Sequence, residues 1–407
     1  MLHKCFFPLF LLVVFSANGQ FKNDNVLYKT VDPADLCASL QKNKGYLLLD
    51  VRSAAEHYDT SSSSSYNLGH LKGAKNIDVR ELGRRLTEID GYKNKPVFVY
   101  CSHSQRSRRA SKMLADSGYT NIFNINGGMT AIYYNSLKKK DCLKSLVETT
   151  VSYDIISADE LCYKMGKSKQ PFILDVRSDS AFRHISLNAK ENGYGYFSGT
   201  VNIPLQELEK RMVEIPKGQD IIITDIDGDE AALAAVTLKR SGFEKVAMLI
   251  EGIDRLLFTN PENFRCKENL YQSPVRYKML TATEFGNYVK NNTGYMLLDI
   301  RTTDEFANKY KDNWRNAGHI KNAINIPADD LKISIAGLGT DKTKEILIYS
   351  FGNGPELFAV AGGLQEEGFT NIKVLIGGIF NLRWTAGNVK GQSYLKDLVT
   401  DIPEANQ

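Results

Sequence analysis

Membrane-length apolar segments, blocks of like charge and long low-complexity tracts are all missing from the 407 residues, and cysteine is scarce at six. Each absence excludes something. Beyond the N-terminal region no segment is apolar enough for a membrane helix, which needs about 20 consecutive apolar residues. The formal charge of +4 is small for this length and is not gathered into basic runs, so a nucleic acid is not an expected partner. The low-complexity content is a short serine run, Ser61 to Ser65; 43% hydrophobic and 24% charged residues is the balance of a folded globular protein. The segment Asp225-x-Asp227-x-Asp229 looks like the start of a calcium loop, but the spacing of the remaining ligands is not met. No metal or other cofactor is expected.

What is present begins with a leader-like N-terminus. Met-Leu-His-Lys is followed by the apolar run Cys5 to Phe15 and by small residues at Ala17 and Gly19. A basic start, a short apolar stretch and small residues before a cleavage point are the marks of a secretory signal peptide, expected over residues 1–19 and cut before Gln20. A periplasmic or secreted location, with no membrane span after cleavage, follows as the expectation.

The chain then repeats itself. Leu47-Leu48-Leu49-Asp50-Val51-Arg52 returns as Ile173-Leu174-Asp175-Val176-Arg177 and again as Leu297-Leu298-Asp299-Ile300-Arg301. In the same phase, Gly69-His70-Leu71 through Asn76-Ile77 is matched by Gly199 through Asn202-Ile203 and by Gly318-His319-Ile320 through Asn325-Ile326. Gly127-Gly128, Glu251-Gly252 and Gly377-Gly378 form a third set. Three copies of one unit are therefore expected, over residues 20–147, 148–272 and 273–407. Within copy one, short aliphatic runs at Tyr46 to Leu49, Val97 to Tyr100 and Ile122 to Ile125 alternate with helix-like stretches such as Arg106 to Ser117. Continuous apolar runs mean strands buried on both faces, so each copy reads as a doubly wound α/β unit on a parallel sheet. Ligands bind such sheets at the carboxyl ends of the strands, which directs attention to the loop after Tyr100.

That loop is Cys101-Ser102-His103-Ser104-Gln105-Arg106-Ser107, leading into a helix. A thiol placed over loop amides and a helix N-terminus, with Arg106, Arg108, Arg109 and Lys112 nearby in sequence, is expected to favour the thiolate and to attract an anion. Ser102, His103, Ser104, Gln105 and Ser107 are the candidate substrate-binding residues.

Together, the Asp-Val-Arg strand end, the Gly-His-Leu-Lys-Gly-Ala-Lys-Asn-Ile segment, the Cys-x4-Arg loop and the Gly-Gly element make the chain similar to the rhodanese, or sulfurtransferase, family. The resemblance spans nearly everything after the leader, as three tandem domains. It implies Cys101 as catalytic nucleophile and Arg106 as the loop arginine. It also implies a reaction: a Cys101 persulfide formed from thiosulfate or another persulfide and relieved by a thiol or other thiophile. The chain departs from the family's pattern in an extra stretch, Asp59 to Asn67, with similar expansions in the other copies; this bears on the pocket rim rather than on the nucleophile. Two rival readings stand beside this one. A loop-cysteine phosphatase or arsenate reductase would use Cys-x5-Arg, one residue longer than the spacing here. A non-catalytic scaffold would follow from what the other copies have lost.

Copy two has Asp225 and copy three Ser350 at the position of Cys101, and the loops after them carry no basic residue. Both are expected to be inactive, serving packing, protein-partner contact or pocket building. Because Asp50, Arg52 and His70 have counterparts where the thiol is absent, they read as structural. Cysteine positions repeat as well: Cys37 matches Cys162 and Cys142 matches Cys266, while copy three has Gly286 and Lys390 there. Having both or neither points to the disulfides Cys37 with Cys142 and Cys162 with Cys266, although four cysteines allow three connectivities. Such pairing fits an oxidising compartment and leaves Cys101 as the free thiol.

Overall fold

In a computed structural model, the described residues are 26–136, 140–259, 263–334 and 338–403. The leader expected over residues 1–19 lies outside them. The aliphatic runs become strands for the reason their composition gives: Leu47–Asp50 and Val97–Tyr100 are buried along their whole length, with no solvent-facing side to alternate toward. Copy one holds a five-stranded parallel sheet in the order Lys29–Val31, Ile122–Ile125, Val97–Tyr100, Leu47–Asp50, Lys75–Asn76. Leu49 is paired with Val99, and Asp50 with Tyr100, at the carboxyl end. The same order recurs in copy two around Ile221–Thr224 and in copy three around Ile346–Tyr349.

Helices cover both faces of each sheet. The helix after the central strand, Gln105–Asp116, buries Ser107, Ala110, Ser111 and Leu114 and stops at Gly118, whose φ of 85° turns the chain back. Behind it, Asn124 interrupts the apolar strand Ile122–Ile125 to accept a 2.7 Å hydrogen bond from Ser107 Oγ. The buried Asp50 carboxylate takes Arg52 side-on at 2.7 to 3.1 Å, and Arg52 Nη2 also donates to Gly69 O. Asp175 with Arg177 and Asp299 with Arg301 repeat this arrangement. These arginines tie the strand end to the loop that follows, and none of them lines the Cys101 cavity. His70 is likewise outside it, its Nδ1 against His57 O at 3.0 Å.

The extra stretch in each copy is a loop closed by one asparagine. Asn67 bonds both the amide and the carbonyl of Ser61, as Asn192 does with Ser186 and Asn316 with Tyr310. Disulfides join Cys37 to Cys142 and Cys162 to Cys266, tying the first helix of each of these copies to its exit segment.

The copies are packed against one another rather than strung out. Apolar residues of copies one and two form one continuous cluster, running from Leu36 and Phe98 through Tyr153 to Ala232 and Val246. Copy two's Tyr194 packs on Phe358 of copy three at 5.6 Å between ring centroids. Asn126 Nδ2 of copy one donates to Asn388 O of copy three at 2.6 Å. Arg255 of copy two lies 5.6 Å from the Tyr134 ring of copy one and 5.9 Å from the Trp384 ring of copy three, so all three copies meet at one guanidinium.

Candidate active site

The central strand ends at Tyr100, and the chain turns at once, placing Cys101 at the floor of a cavity of about 400 Å³. Ser53, Glu56, Ser61, Tyr66, Ser102, His103, Gln105 and Arg106 complete its lining. Cys101 is 1% exposed and is the one free cysteine among the described residues. Its sulfur accepts a 3.1 Å hydrogen bond from the Ser104 amide and lies 3.6 Å from Ser107 Oγ.

The turn depends on Ser104, whose φ of 91° lies in the left-handed region. A non-glycine residue is costly there, and Ser104 offsets that cost with its hydroxyl, which accepts the Gly127 amide at 2.5 Å. Gly128 packs closer still: a Cβ on it would stand 2.1 Å from Cys101 O and 2.7 Å from Ser102 O. The Gly-Gly element thus holds the Cys101 loop from below. Gly252 and Gly378 stand in the same relation to the loops of copies two and three.

Of the predicted binding residues, Ser102, His103 and Gln105 line the cavity with Cys101 and Arg106. Ser104 and Ser107 are buried beneath the loop and shape it instead. The expected gathering of cations does not form. Arg108 faces a different cavity, of about 350 Å³, between copies one and three, and Lys112 pairs with Asp116. Arg106 alone reaches the site, and it is already engaged. Its Nη1 and Nη2 donate to Glu56 Oε2 and Oε1 at 2.5 and 2.6 Å, and Nη2 donates to Ser102 Oγ at 2.9 Å. The Glu56 hydrogen bonds raise the Arg106 pKa above its ordinary value. Burial works to raise the Glu56 carboxyl, but Arg106 and the Ser53 amide outweigh it and hold the carboxyl below its ordinary value.

Glu56 was not among the candidates read from sequence, yet the repeats carried a signal for it. Copy two, which has Glu230 in place of Arg106, has Ala181 in place of Glu56: both members of the pair are gone together. In copy three, with Pro355 at the arginine position, the matching Glu305 instead pairs with Arg315 from the extra loop.

Copy two also meets the rim of the site. His103 Nδ1 is 2.8 Å from Ser102 Oγ, while His103 Nε2 meets Glu251 of copy two. The Tyr66 ring stands edge-on to His103 at 6.2 Å, and the Ser65 amide beside it donates to Asp229 Oδ1 at 2.7 Å.

The other two copies show what the loop does when the sulfur is absent. In copy two, Asp225 Oδ1 accepts the Gly228 amide at 2.7 Å and Oδ2 accepts the Ala231 amide at 3.0 Å. Gly228, with φ of 97°, is the counterpart of Ser104. Burial, with Asp227 and Glu230 close by, pushes Asp225 up to about 7 against those amide bonds. Both Asp225 oxygens thus accept amides of its own loop, and among the described residues no group of three or more acidic, His or Cys side chains is arranged to hold a metal. In copy three, Ser350 Oγ donates to Glu356 at 2.8 Å, which closes that loop on itself.

Comparison with known proteins agrees with the repeat structure. The rhodanese-like domain profile matches residues 33–135, 157–257 and 281–383. Among curated relatives, an uncharacterized protein of Bacillus subtilis (strain 168), YqhL, is 39% identical over 74 residues, which is 18% of this chain and 57% of that protein. Thiosulfate sulfurtransferase PspE of Escherichia coli (strain K12) is 36% identical over 75 residues, 18% of this chain and 72% of that one. The chain thus spans little more than half the length of the first of these. Among solved structures, thiosulfate sulfurtransferase from Pseudomonas aeruginosa aligns over 86% of this chain and 66% of its own at 16% identity and a TM-score of 0.22. A rhodanese with anions from E. coli aligns over 21% of this chain and 91% of its own at 31% identity and a TM-score of 0.18. Since three successive matches of the profile together account for most of the sequence, in the same phase as the three sheets, this chain belongs to the rhodanese family as a tandem of three rhodanese-like domains.

Proposed function

We propose that the chain is a sulfurtransferase acting through a persulfide on Cys101. The observation that carries this reading is the amide cradle: Ser104 N on Cys101 Sγ in copy one, with the same loop position in copy two donating to a carboxylate. The Ser104 amide that reaches Cys101 Sγ is placed to donate to a thiolate or persulfide there.

In the first half-reaction the Cys101 thiolate attacks the outer sulfur of thiosulfate. The new S–S bond forms as the old one breaks, and sulfite leaves with the electron pair. In the second, a thiol or other thiophile in its deprotonated form attacks the terminal sulfur, and Cys101 leaves as thiolate. A persulfide donor follows the same course, with a thiolate as leaving group. Arg106 and Ser102 line the cavity, and copy two abuts its rim through Glu251 and Asp229. The curated relative in E. coli bears the name thiosulfate sulfurtransferase, which supports the reaction class. Two disulfides support an exported, oxidising location.

Intact-mass measurement after incubation with thiosulfate tests the reading. A gain of about 32 Da, one sulfur atom, removable by cyanide and absent from Cys101→Ala, is the expected result. No adduct on reduced, folded protein overturns it, and hydrolysis of an aryl phosphate in its place favours the phosphatase chemistry.

A further inference from the structure

We infer that Glu251, a residue of the inactive second copy, is a positioning residue for the Cys101 site of the first. This rests on the sulfurtransferase reading only for the name of the reaction. The position itself is unusual. Glu251 has φ of 55°, where copies one and three place Gly127 and Gly377 at 71° and 81°. Glycine suits that backbone better than any side chain, so a glutamate there points to something its carboxylate does.

That carboxylate turns away from its own loop and into copy one. It meets His103 Nε2, lies 3.4 Å from Thr130 Oγ1, and is backed by Arg255 at 3.5 Å. His103 in turn bonds Ser102 Oγ, which accepts from Arg106 Nη2, which is paired with Glu56. One hydrogen-bonded chain therefore crosses the cavity rim, anchored by a carboxylate at each end: Glu56 from copy one and Glu251 from copy two. Both nitrogens of His103 are engaged, so its ring links Ser102 to Glu251 across the rim. Glu251 does not line the cavity and acts only through His103. Deleting it leaves the Cys101 cradle intact but frees Ser102 and His103 to reorient at the mouth.

The test uses the full chain. Glu251→Gly places the residue of the other two copies at a positive φ, so the fold is retained. It is expected to raise KM for thiosulfate about fivefold to tenfold with kcat changed by no more than about twofold, because the mouth and not the nucleophile is disturbed. Glu251→Gln, which keeps a hydrogen-bonding group for His103, is expected to stay within about twofold of the parent. In a His103→Ala background, Glu251→Gly should add nothing. A Glu251→Gly protein with parental KM, or losses that add to those of His103→Ala, overturns the inference. A second readout does not depend on the reaction: alkylation of Cys101 by iodoacetamide should be at least about threefold faster in Glu251→Gly and unchanged in Glu251→Gln. If the parent takes up no sulfur, the functional reading fails while this readout still decides the role of Glu251; an unaltered alkylation rate removes that role.

Discussion

Arg106 and Glu56 meet through two N–H···O bonds of 2.5 and 2.6 Å at the mouth of the Cys101 cavity. The pair is half-buried on the arginine side and nearly buried on the glutamate side. Arg106 is therefore held in place before any substrate arrives, at the expense of much of its net charge. Arg106→Ala is expected to lower kcat/KM about 100-fold and to cost about 1–3 kcal/mol of stability, since Glu56 is left without its partner. Arg106→Lys restores charge but not the two-pronged geometry, and should recover only part of either loss. Steady-state kinetics and denaturant melts of the two variants check this.

The same pair sets an acid limb. Glu56 is held below its ordinary pKa in the fold. Its contribution is complete above the unfolded value of about 4.3 and is lost as pH falls through the lower folded value. The stability gap between the parent and Glu56→Gln, followed by thermal melts, should be widest near neutrality and close below about pH 4.

Asp225 predicts the opposite slope. Its folded pKa is raised to about 7, so the folded state binds the proton more tightly than the unfolded chain does. Stability of copy two should fall as pH rises from about 4 toward 7 and then level off. Asp225→Asn, which cannot ionise but sets an NH2 against one of the two amides, should be less stable than the parent by more at pH 4.5 than at pH 8, so that the parent's slope is lost. Melting curves at the two values decide it.

Ser104 separates strain from hydrogen bonding. Ser104→Ala keeps the left-handed backbone and strands the Gly127 amide, so a loss of about 1–3 kcal/mol is expected. Ser104→Gly loses the same bond but relieves a backbone penalty of about 1–2 kcal/mol, and should fall close to the parent. Glycine at the matching Gly228 shows the turn forming without a side chain.

At Gly128 no such relief exists. An added Cβ would press on the carbonyls of Cys101 and Ser102, which are backbone and cannot swing aside. Gly128→Ala should cost at least about 3 kcal/mol or abolish sulfur uptake by displacing the loop. Gly252→Ala makes the same collision in copy two. It should destabilise the protein comparably while leaving Cys101 loadable in the folded fraction, as intact mass would report.

Much of this architecture is written in the sequence because strand burial and turn chemistry are local. Val97 to Tyr100 must be a two-faced buried strand, and Gly127-Gly128 marks a close backbone approach. The carbonyls it approaches are not marked. Cys101 and its loop follow from their place at the strand end. Glu56 comes from 50 residues away, and only the joint loss of its pair in copy two signals it. His103 is legible as a loop residue, but its partner is not, since docking between domains leaves no periodic trace. The hint at Glu251 is a glutamate where the other copies have glycine. Ser104 and Ser107 mislead for the converse reason: their polarity is spent on the Gly127 amide, the Ser104 carbonyl and Asn124 rather than on a ligand.

Arg255, flanked by Tyr134 and Trp384, bears on what counts as a unit of this protein. Repeats ordinarily behave as interchangeable beads, each able to be excised, swapped or duplicated. Here the guanidinium draws on an aromatic from each neighbour, so removing either outer copy strips away one of its two ring contacts. The first copy is therefore not a portable unit, since its Tyr134 ring is part of a contact that spans all three.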